Sequence, residues 1–242
     1  MTRVAVFSSS PRRDRGGTGK LLGPFVAGLR AGGAEVDLVH LFDKTIGPCR
    51  GCYTCWLETP GKCIQRDAMD ELLPLFARAD TVVLATPVYV DGMTGVMKNF
   101  LDRCIPLIEP FFILRSDHCR HDLRAECRSG KLALVSTCGF TELDNFEPLL
   151  AHVKAACRNF DREFAGALLR PYAASLDELA RHGLPVADVL DAMMEAGQRL
   201  AERGHIPQRL VERVGRELLP REMYIQAVNE SFRRRLEQGR GQ

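Results

Sequence analysis

The sequence has no apolar stretch approaching the ~20 residues needed to span a bilayer. Its N-terminus enters a short apolar run, Val4 to Phe7, without the layout of a secretory signal. Together these absences lead us to expect a cytoplasmic protein with no membrane association. Charge of one sign is also lacking: 33 basic against 31 acidic residues leave a net +2, too little for a nucleic-acid footprint. The one basic run, Arg233-Arg234-Arg235, reads as a solvated helix end. No repeat or low-complexity segment interrupts the 242 residues, of which 45% are hydrophobic, enough for one domain with appendages. The G-x-G-x-x-G of a dinucleotide fold is missing. So is a P-loop, since Gly19-Lys20 leads into Leu21 and no glycine stands five residues before Gly19. No Ser-His-Asp or paired-carboxylate arrangement offers a catalytic team, so no protein side chain is assigned the chemistry. The histidines, His118 and His121 among them, are expected at the surface or an interface.

Cysteine, by contrast, is plentiful. Four of the nine fall in one short loop, Cys49, Cys52, Cys55 and Cys63, spaced C-x2-C-x2-C-x7-C. In a chain expected in a reducing compartment, thiols are more often ligands or catalysts than disulfides. Three thiols at i, i+3 and i+6 on a turning backbone, with a fourth returning, can supply one thiolate to each corner of an iron–sulfur cluster. Zinc could use four thiolates, although zinc ribbons set two C-x-x-C knuckles further apart. Disulfide exchange is a third use, because C-x-x-C occurs twice. A loop of reduced thiols that bind nothing is the fourth. Cys104, Cys119, Cys127 and Cys157 lack ligand spacing and read as packing or surface thiols.

The chain alternates strand and helix. Val4–Phe7, Val36–Leu41, Thr81–Ala85, Leu132–Thr137 and Phe164–Leu169 are the predicted strands. Helical spacing follows in Leu21–Leu29, stopped by Gly32-Gly33, and in Met69–Phe76, where Pro74 implies a start near Asp70 or a kink. Further helices carry Val96 to Cys104 behind a capping Thr94, Phe146 to Cys157, and Val189 to Met194. Five such units predict an α/β, flavodoxin-like, doubly wound five-stranded parallel sheet of order 2-1-3-4-5, with helices on both faces. The expected organisation is a domain over residues 1–205, with the cysteine loop at 48–63 and a loop-like insertion at 106–130 that covers a site or an interface. A helical extension over 206–242 follows, broken at Pro220, with Tyr224, Val228 and Phe232 on one face.

In such a sheet the ligand site lies at the carboxyl ends of the strands. After the first strand come Ser8-Ser9-Ser10-Pro11-Arg12 and then Gly16-Gly17-Thr18, opening a helix. Hydroxyls, free N–H groups and an arginine suit a terminal phosphate. An ordinary loop with Thr18 as the helix cap is the alternative. Thr86-Pro87-Val88-Tyr89 follows the third strand, where Tyr89 could lie against a flat ring or sit in the core. Thr137-Cys138-Gly139-Phe140 follows the fourth, and its glycine permits close approach to a planar ligand. One loop suited to phosphate and two to a ring suggest a flavin mononucleotide site.

These segments, with Pro48-Cys49-Arg50-Gly51-Cys52, Asp67-Ala68-Met69 and Met97-Lys98-Asn99-Phe100-Leu101-Asp102-Arg103, resemble the NADPH-dependent FMN reductase family over roughly residues 3 to 170. The cysteine spacing resembles the iron–sulfur flavoproteins within it. The resemblance implies non-covalent FMN, a [4Fe–4S] cluster on the four loop cysteines, NAD(P)H as electron donor, and homodimers or homotetramers. It also implies that Ser10, Arg12, Gly17 and Thr18 hold the phosphate, while Pro87, Val88, Tyr89, Cys138 and Gly139 line the ring. The phosphate loop is one residue longer than the commonest family form. The function expected is an FMN-dependent electron-transfer oxidoreductase that passes electrons to a redox partner protein such as a ferredoxin, or to a small-molecule acceptor. A cluster-free NAD(P)H-dependent FMN or quinone reductase is the alternative within the family. A zinc- or thiol-based sensor on the same scaffold is the alternative outside it.

Overall fold

The computed structural model describes residues 1–239. Its elements in chain order are β1 (Arg3–Ser8), α1 (Gly17–Ala31), β2 (Glu35–His40), α2 (Thr54–Leu57), α3 (Met69–Arg78), β3 (Thr81–Pro87) and α4 (Gly95–Asp102). There follow β4 (Ile108–Arg115), β5 (His118–Leu123), β6 (Gly130–Thr137), α5 (Glu147–Asn159), β7 (Arg162–Arg170), α6 (Leu176–Arg181), α7 (Val186–Arg203), α8 (Gln208–Gly215) and α9 (Arg221–Gly239). Five strands form one parallel sheet in the order β2-β1-β3-β6-β7, which is the flavodoxin-like order expected.

The apolar runs of β1, β3 and β6 are buried on both faces, as parallel strands between two helical layers must be. Ala5 and Phe7 point into one core with Phe76, Phe100 and Phe146. Val4 and Val6 point into the other, with Phe25, Leu29 and Met193. The edge strand β2 is largely exposed and carries the weakest pattern. On the second face α1 and α7 approach backbone to backbone. A Cβ on Gly28 would fall inside van der Waals contact of the Met194 carbonyl, and one on Gly197 would meet the Phe25 carbonyl. Both positions therefore need glycine for packing rather than for dihedral freedom.

Two elements, α6 and the insertion, differ from expectation. Helix α3 starts at Met69, next to the Asp70 start that Pro74 implied, and carries Pro74 inside it. Only one ladder bond, to the Asp70 carbonyl, is lost, and that is tolerated one turn into an amphipathic helix packed on the core. The short helix α6 intervenes between β7 and α7. The insertion at 106–130 is an antiparallel hairpin, β4–β5, closed by a two-residue turn in which Ser116 and Asp117 have φ of 51° and 59°. Near the end of the chain, the fully buried Arg170 donates from Nη1 to the Val214 and Arg216 carbonyls, both at 2.7 Å. It thereby satisfies the C-terminal end of α8. No helix among the described residues is long and apolar enough to cross a membrane.

The close α1–α7 contact makes a prediction. Gly28→Ala should lower unfolding stability by about 1–3 kcal/mol through overpacking. Urea unfolding checks this, and an unchanged midpoint would show that the two helices are not held as closely as described.

Candidate functional site

The loops that follow β1, β3 and β6 emerge at one end of the sheet, where hydroxyl groups stitch them together. Thr18 Oγ1 lies 2.7 Å from Thr137 Oγ1, joining the first loop to the third. Ser136 donates to the Thr86 carbonyl at 2.8 Å, and Thr86 Oγ1 accepts from the Thr94 N–H at 3.2 Å. Thr94 in turn caps α4, accepting from the Met97 N–H, as its position in the sequence implied.

In the first loop Ser8 and Ser10 are buried, and Ser8 Oγ has no hydrogen-bond partner within the protein. The residue capping α1 is Gly16, which offers no side-chain acceptor. Thr18 does not cap the helix; its hydroxyl faces Thr137. The N–H groups of the first turn are therefore left without a capping side chain, at the positive end of a 15-residue helix. Two adjacent arginines behave differently here: Arg13 pairs with Asp43, while Arg12 is exposed and has no carboxylate partner among the described residues. Gly17 has a second role, because a Cβ there would strike the Ala173 carbonyl.

The loop after β3 turns back through Val90 and Asp91, with φ of 47° and 60°, between the bridged pair Tyr89 and Gly92. A β-branched residue at positive φ is strained, and such strain gathers at functional sites. The turn leaves Pro87 and Val88 partly covered and Tyr89 half exposed, so Tyr89 is not a core residue. In the third loop Gly139 is exposed and Cys138 is buried. Burial pushes the Cys138 thiol up to about 11, and its Sγ lies 3.4 Å from the Phe140 carbonyl. Tyr224, on α9, donates its hydroxyl to the Gly139 carbonyl at 2.9 Å. This latch from the far end of the chain carried no local sequence signal beyond an apolar stripe.

The cysteine loop leaves the carboxyl end of β2 and folds against the C-terminal end of α4. Cys49, Cys52, Cys55 and Cys63 all line one cavity of about 360 Å³, with Arg50, Asp102, Arg103 and Pro106 on its wall. Two positive-φ residues, Gly51 and Tyr53, turn the backbone between the first three cysteines. Cys49 and Cys52 are exposed, Cys63 is half-buried and Cys55 is buried. The Cys55 thiol is pushed up by burial and by the neighbouring Cys63, Cys49 and Cys52, so the four thiols share one electrostatic environment. A hydrogen bond with Thr54 holds Cys52 below its usual value. Among the described residues no three His, Cys, Asp or Glu side chains converge tightly enough to hold a single metal ion. The thiols surround a space rather than meet at a point.

What anchors this loop is Arg103, which is almost fully buried. It donates to Asp67 Oδ2 at 2.6 Å, to Asp67 Oδ1 at 3.2 Å and to the Gly47 carbonyl at 2.7 Å. Asp67 also accepts from the N–H groups of Gly47 and Met69. Burial works to raise the Asp67 carboxyl, but Arg103 and the two N–H groups outweigh it and hold the group below the usual carboxylate range.

The family model for NADPH-dependent FMN reductase matches residues 2–120. That match takes in β1 to β3, the cysteine loop and α4. The chain is 44% identical over 97 residues to an iron–sulfur flavoprotein of Archaeoglobus fulgidus, covering 40% of this chain and 43% of that one. It is 36% identical over 105 residues to an iron–sulfur flavoprotein of Methanocaldococcus jannaschii, covering 43% and 53%. The matched region thus spans about half the length of these curated relatives. An FMN-dependent NADH-azoreductase of Bacillus anthracis, solved with FMN, superposes with a TM-score of 0.60 at 16% identity over 83% of this chain and all of that one. That likeness shows the shared fold.

The anchor makes a prediction. Asp67→Ala leaves a buried guanidinium unpaired and should cost about 3–5 kcal/mol. Because the folded carboxyl is depressed, the pair's contribution is complete above the unfolded value near pH ~4 and is lost as pH falls through the folded one. Denaturant unfolding across acid pH tests this; a loss below about 1 kcal/mol, the worth of a surface pair, would contradict it.

Proposed function

We propose that this protein is an FMN-dependent oxidoreductase that transfers electrons through a [4Fe–4S] cluster held by Cys49, Cys52, Cys55 and Cys63. The observation that carries the proposal is the set of four cysteines around one cavity, on a chain whose residues 2–120 match the family model for NADPH-dependent FMN reductase. A single zinc needs four donors within about 2.3 Å of one point, whereas a four-iron cluster takes one thiolate at each corner. Thiols spaced around a cavity suit the second. The hydrogen bond that favours the Cys52 thiolate, and Arg50 and Arg103 on the same wall, would offset the charge of thiolate ligands.

For the flavin, the uncapped N–H groups of Gly17 and Thr18, the unpaired Arg12 and the hydroxyls of Ser8 and Ser10 make the phosphate cradle. Thr86, Pro87, Val88, Tyr89, Thr137, Cys138 and Gly139 line the ring site. The bound flavin would accept a hydride from NAD(P)H and release electrons singly. The protein's part is to position and to shield: the strained turn at Val90-Asp91 presents Tyr89, Tyr224 fixes the Gly139 carbonyl, and the Cys138 thiol stays neutral. Helix α4 links the two sites, beginning at the Thr94–Thr86 contact and ending at Arg103. Eight residues at 1.5 Å each put about 12 Å between them along the helix.

Exposed apolar side chains on the hairpin (Phe111, Phe112, Leu114) and on α9 (Met223, Phe232, Leu236) support assembly as a homodimer or homotetramer. Residues 1–205 would form the flavin domain and the extension expected over 206–242 would follow it, with residues 240–242 outside the described ones. The electron acceptor would be a redox protein such as a ferredoxin, or a small molecule.

Cys49→Ser and Cys52→Ser should each remove iron while leaving FMN content unchanged, measured by metal analysis and visible absorption. Iron retained in both variants would sink the cluster assignment. Arg12→Ala and Thr18→Val should each weaken FMN binding roughly tenfold or more, the worth of a charge-assisted phosphate contact, by fluorescence titration. Unchanged affinity in both would displace the phosphate site.

A further inference from the structure

At the opposite end of the sheet two tight turns face each other. One is the tip of the β4–β5 hairpin at Ser116-Asp117; the other is the junction between α5 and β7, where Asp161 has φ of 48°. Between them lies a cavity of about 250 Å³ lined by Arg115, His118, Arg120, Arg158 and Arg162, with Ser116, Asp161 and Glu163. Neither the flavin loops nor the cysteine loop contributes to it.

Its charges do not balance. Asp161 is engaged by Arg115 at 2.9 Å, and Glu163 stands 3.7 Å from Lys131, outside the lining. Arg115 also pairs with Asp122 at 3.1 Å. The remaining arginines have no carboxylate within ion-pair distance among the described residues. Arg120 donates only to the neighbouring Cys119 carbonyl, at 2.7 Å. Arg158 is exposed on the last turn of α5.

Arg162 is the decisive group. It is 5% exposed, stacks 4.9 Å from the Phe76 ring centroid, and donates to the Phe76 and Ala79 carbonyls at 2.7 and 3.1 Å. Its Nε has no hydrogen-bond partner. Carbonyls satisfy part of a guanidinium but supply no countercharge, and a buried cation without one is costly. Such a residue beside two unpaired surface arginines and a hydroxyl is a constellation that an anion would complete. Arginine's planar fork suits phosphate oxygens in particular.

We infer that this cavity binds a phosphate-bearing small molecule, bridged by Arg120 of the hairpin and Arg158 of α5 over the buried Arg162. The cavity is wide enough to admit an organic phosphate monoester as well as the free ion. Bound there, the anion would tie the hairpin to α5. The same hairpin sets His121 against Trp56 of the cysteine loop, with the rings tilted by 40° and their centroids 5.0 Å apart. The site therefore lies on the element that braces the cysteine cavity from outside.

The test is isothermal titration of the protein, loaded with FMN and then desalted so that the β1 loop is filled and no free FMN remains to compete, against inorganic phosphate and separately against adenosine monophosphate. Sodium chloride of matched ionic strength serves as the control. Saturable binding is expected for at least one phosphate and not for chloride. Tighter binding of the monophosphate would assign an organic ester, and equal or tighter binding of inorganic phosphate would assign the free ion. Arg120→Gln and Arg158→Gln should each weaken binding about tenfold, and Arg158→Glu should abolish it. Visible and far-ultraviolet spectra should stay unchanged in all three. No saturable binding of either phosphate, or equal affinity in all three variants, would overturn the inference. Both results stand apart from loss of the flavin site, which would alter the visible spectrum and leave the effect of these variants intact.

Discussion

A single buried arginine sets the geometry on which the candidate redox site depends. The segment from Lys44 to Ala68 holds one short helical turn and otherwise irregular backbone, with little apolar burial to fix it. Its two ends converge on Arg103, which holds the Gly47 carbonyl and the Asp67 carboxylate at once. Asn99, one turn earlier on α4, donates to the Ile46 carbonyl at 2.6 Å. A loop closed at its base by a buried, bidentate pair can carry exposed thiols without collapsing onto the core. Because the arginine ends the helix whose first turn touches the β3 loop, the same contact also sets the distance between the two candidate cofactor sites.

The flavin end depends on a different device. A hydroxyl-to-hydroxyl bond links Thr18 and Thr137, more than a hundred residues apart in sequence, and a hydroxyl-to-carbonyl bond links Ser136 to Thr86. Such links orient backbone N–H groups without placing a charge in the site, which leaves the α1 dipole available to an anion. Strain at Val90 and Asp91 is the visible cost of presenting Tyr89 outward.

Much of this could be read from sequence, for physical reasons. Strands covered on both faces write continuous apolar runs, so β1, β3 and β6 announced themselves and the sheet order followed from their alternation with helices. Cysteine spacing located the loop because few chemistries need four thiols within fifteen residues. The hairpin could not be read, because its strands are largely exposed and mix Phe111 and Phe112 with His and Arg in no strict alternation. Capping by Thr18 stood as the alternative to a phosphate site, and local sequence could not remove it because the hydroxyl's partner, Thr137, is distant in the chain. Arg103, Arg162 and Arg170 were invisible as buried residues for a related reason: composition places arginine at the surface, and only the surrounding carbonyls and carboxylates, distant in sequence, make its burial tolerable. The link from Tyr224 to Gly139 is of the same kind.

The central claim is that the four loop cysteines and the three strand-end loops serve two redox groups in one chain. The most direct measurement is the content of iron, acid-labile sulfide, zinc and flavin per chain in protein purified without oxygen. The account predicts near-stoichiometric FMN with about four irons and four sulfides. Stoichiometric zinc without flavin would contradict it, leaving the fold correct and the function wrong.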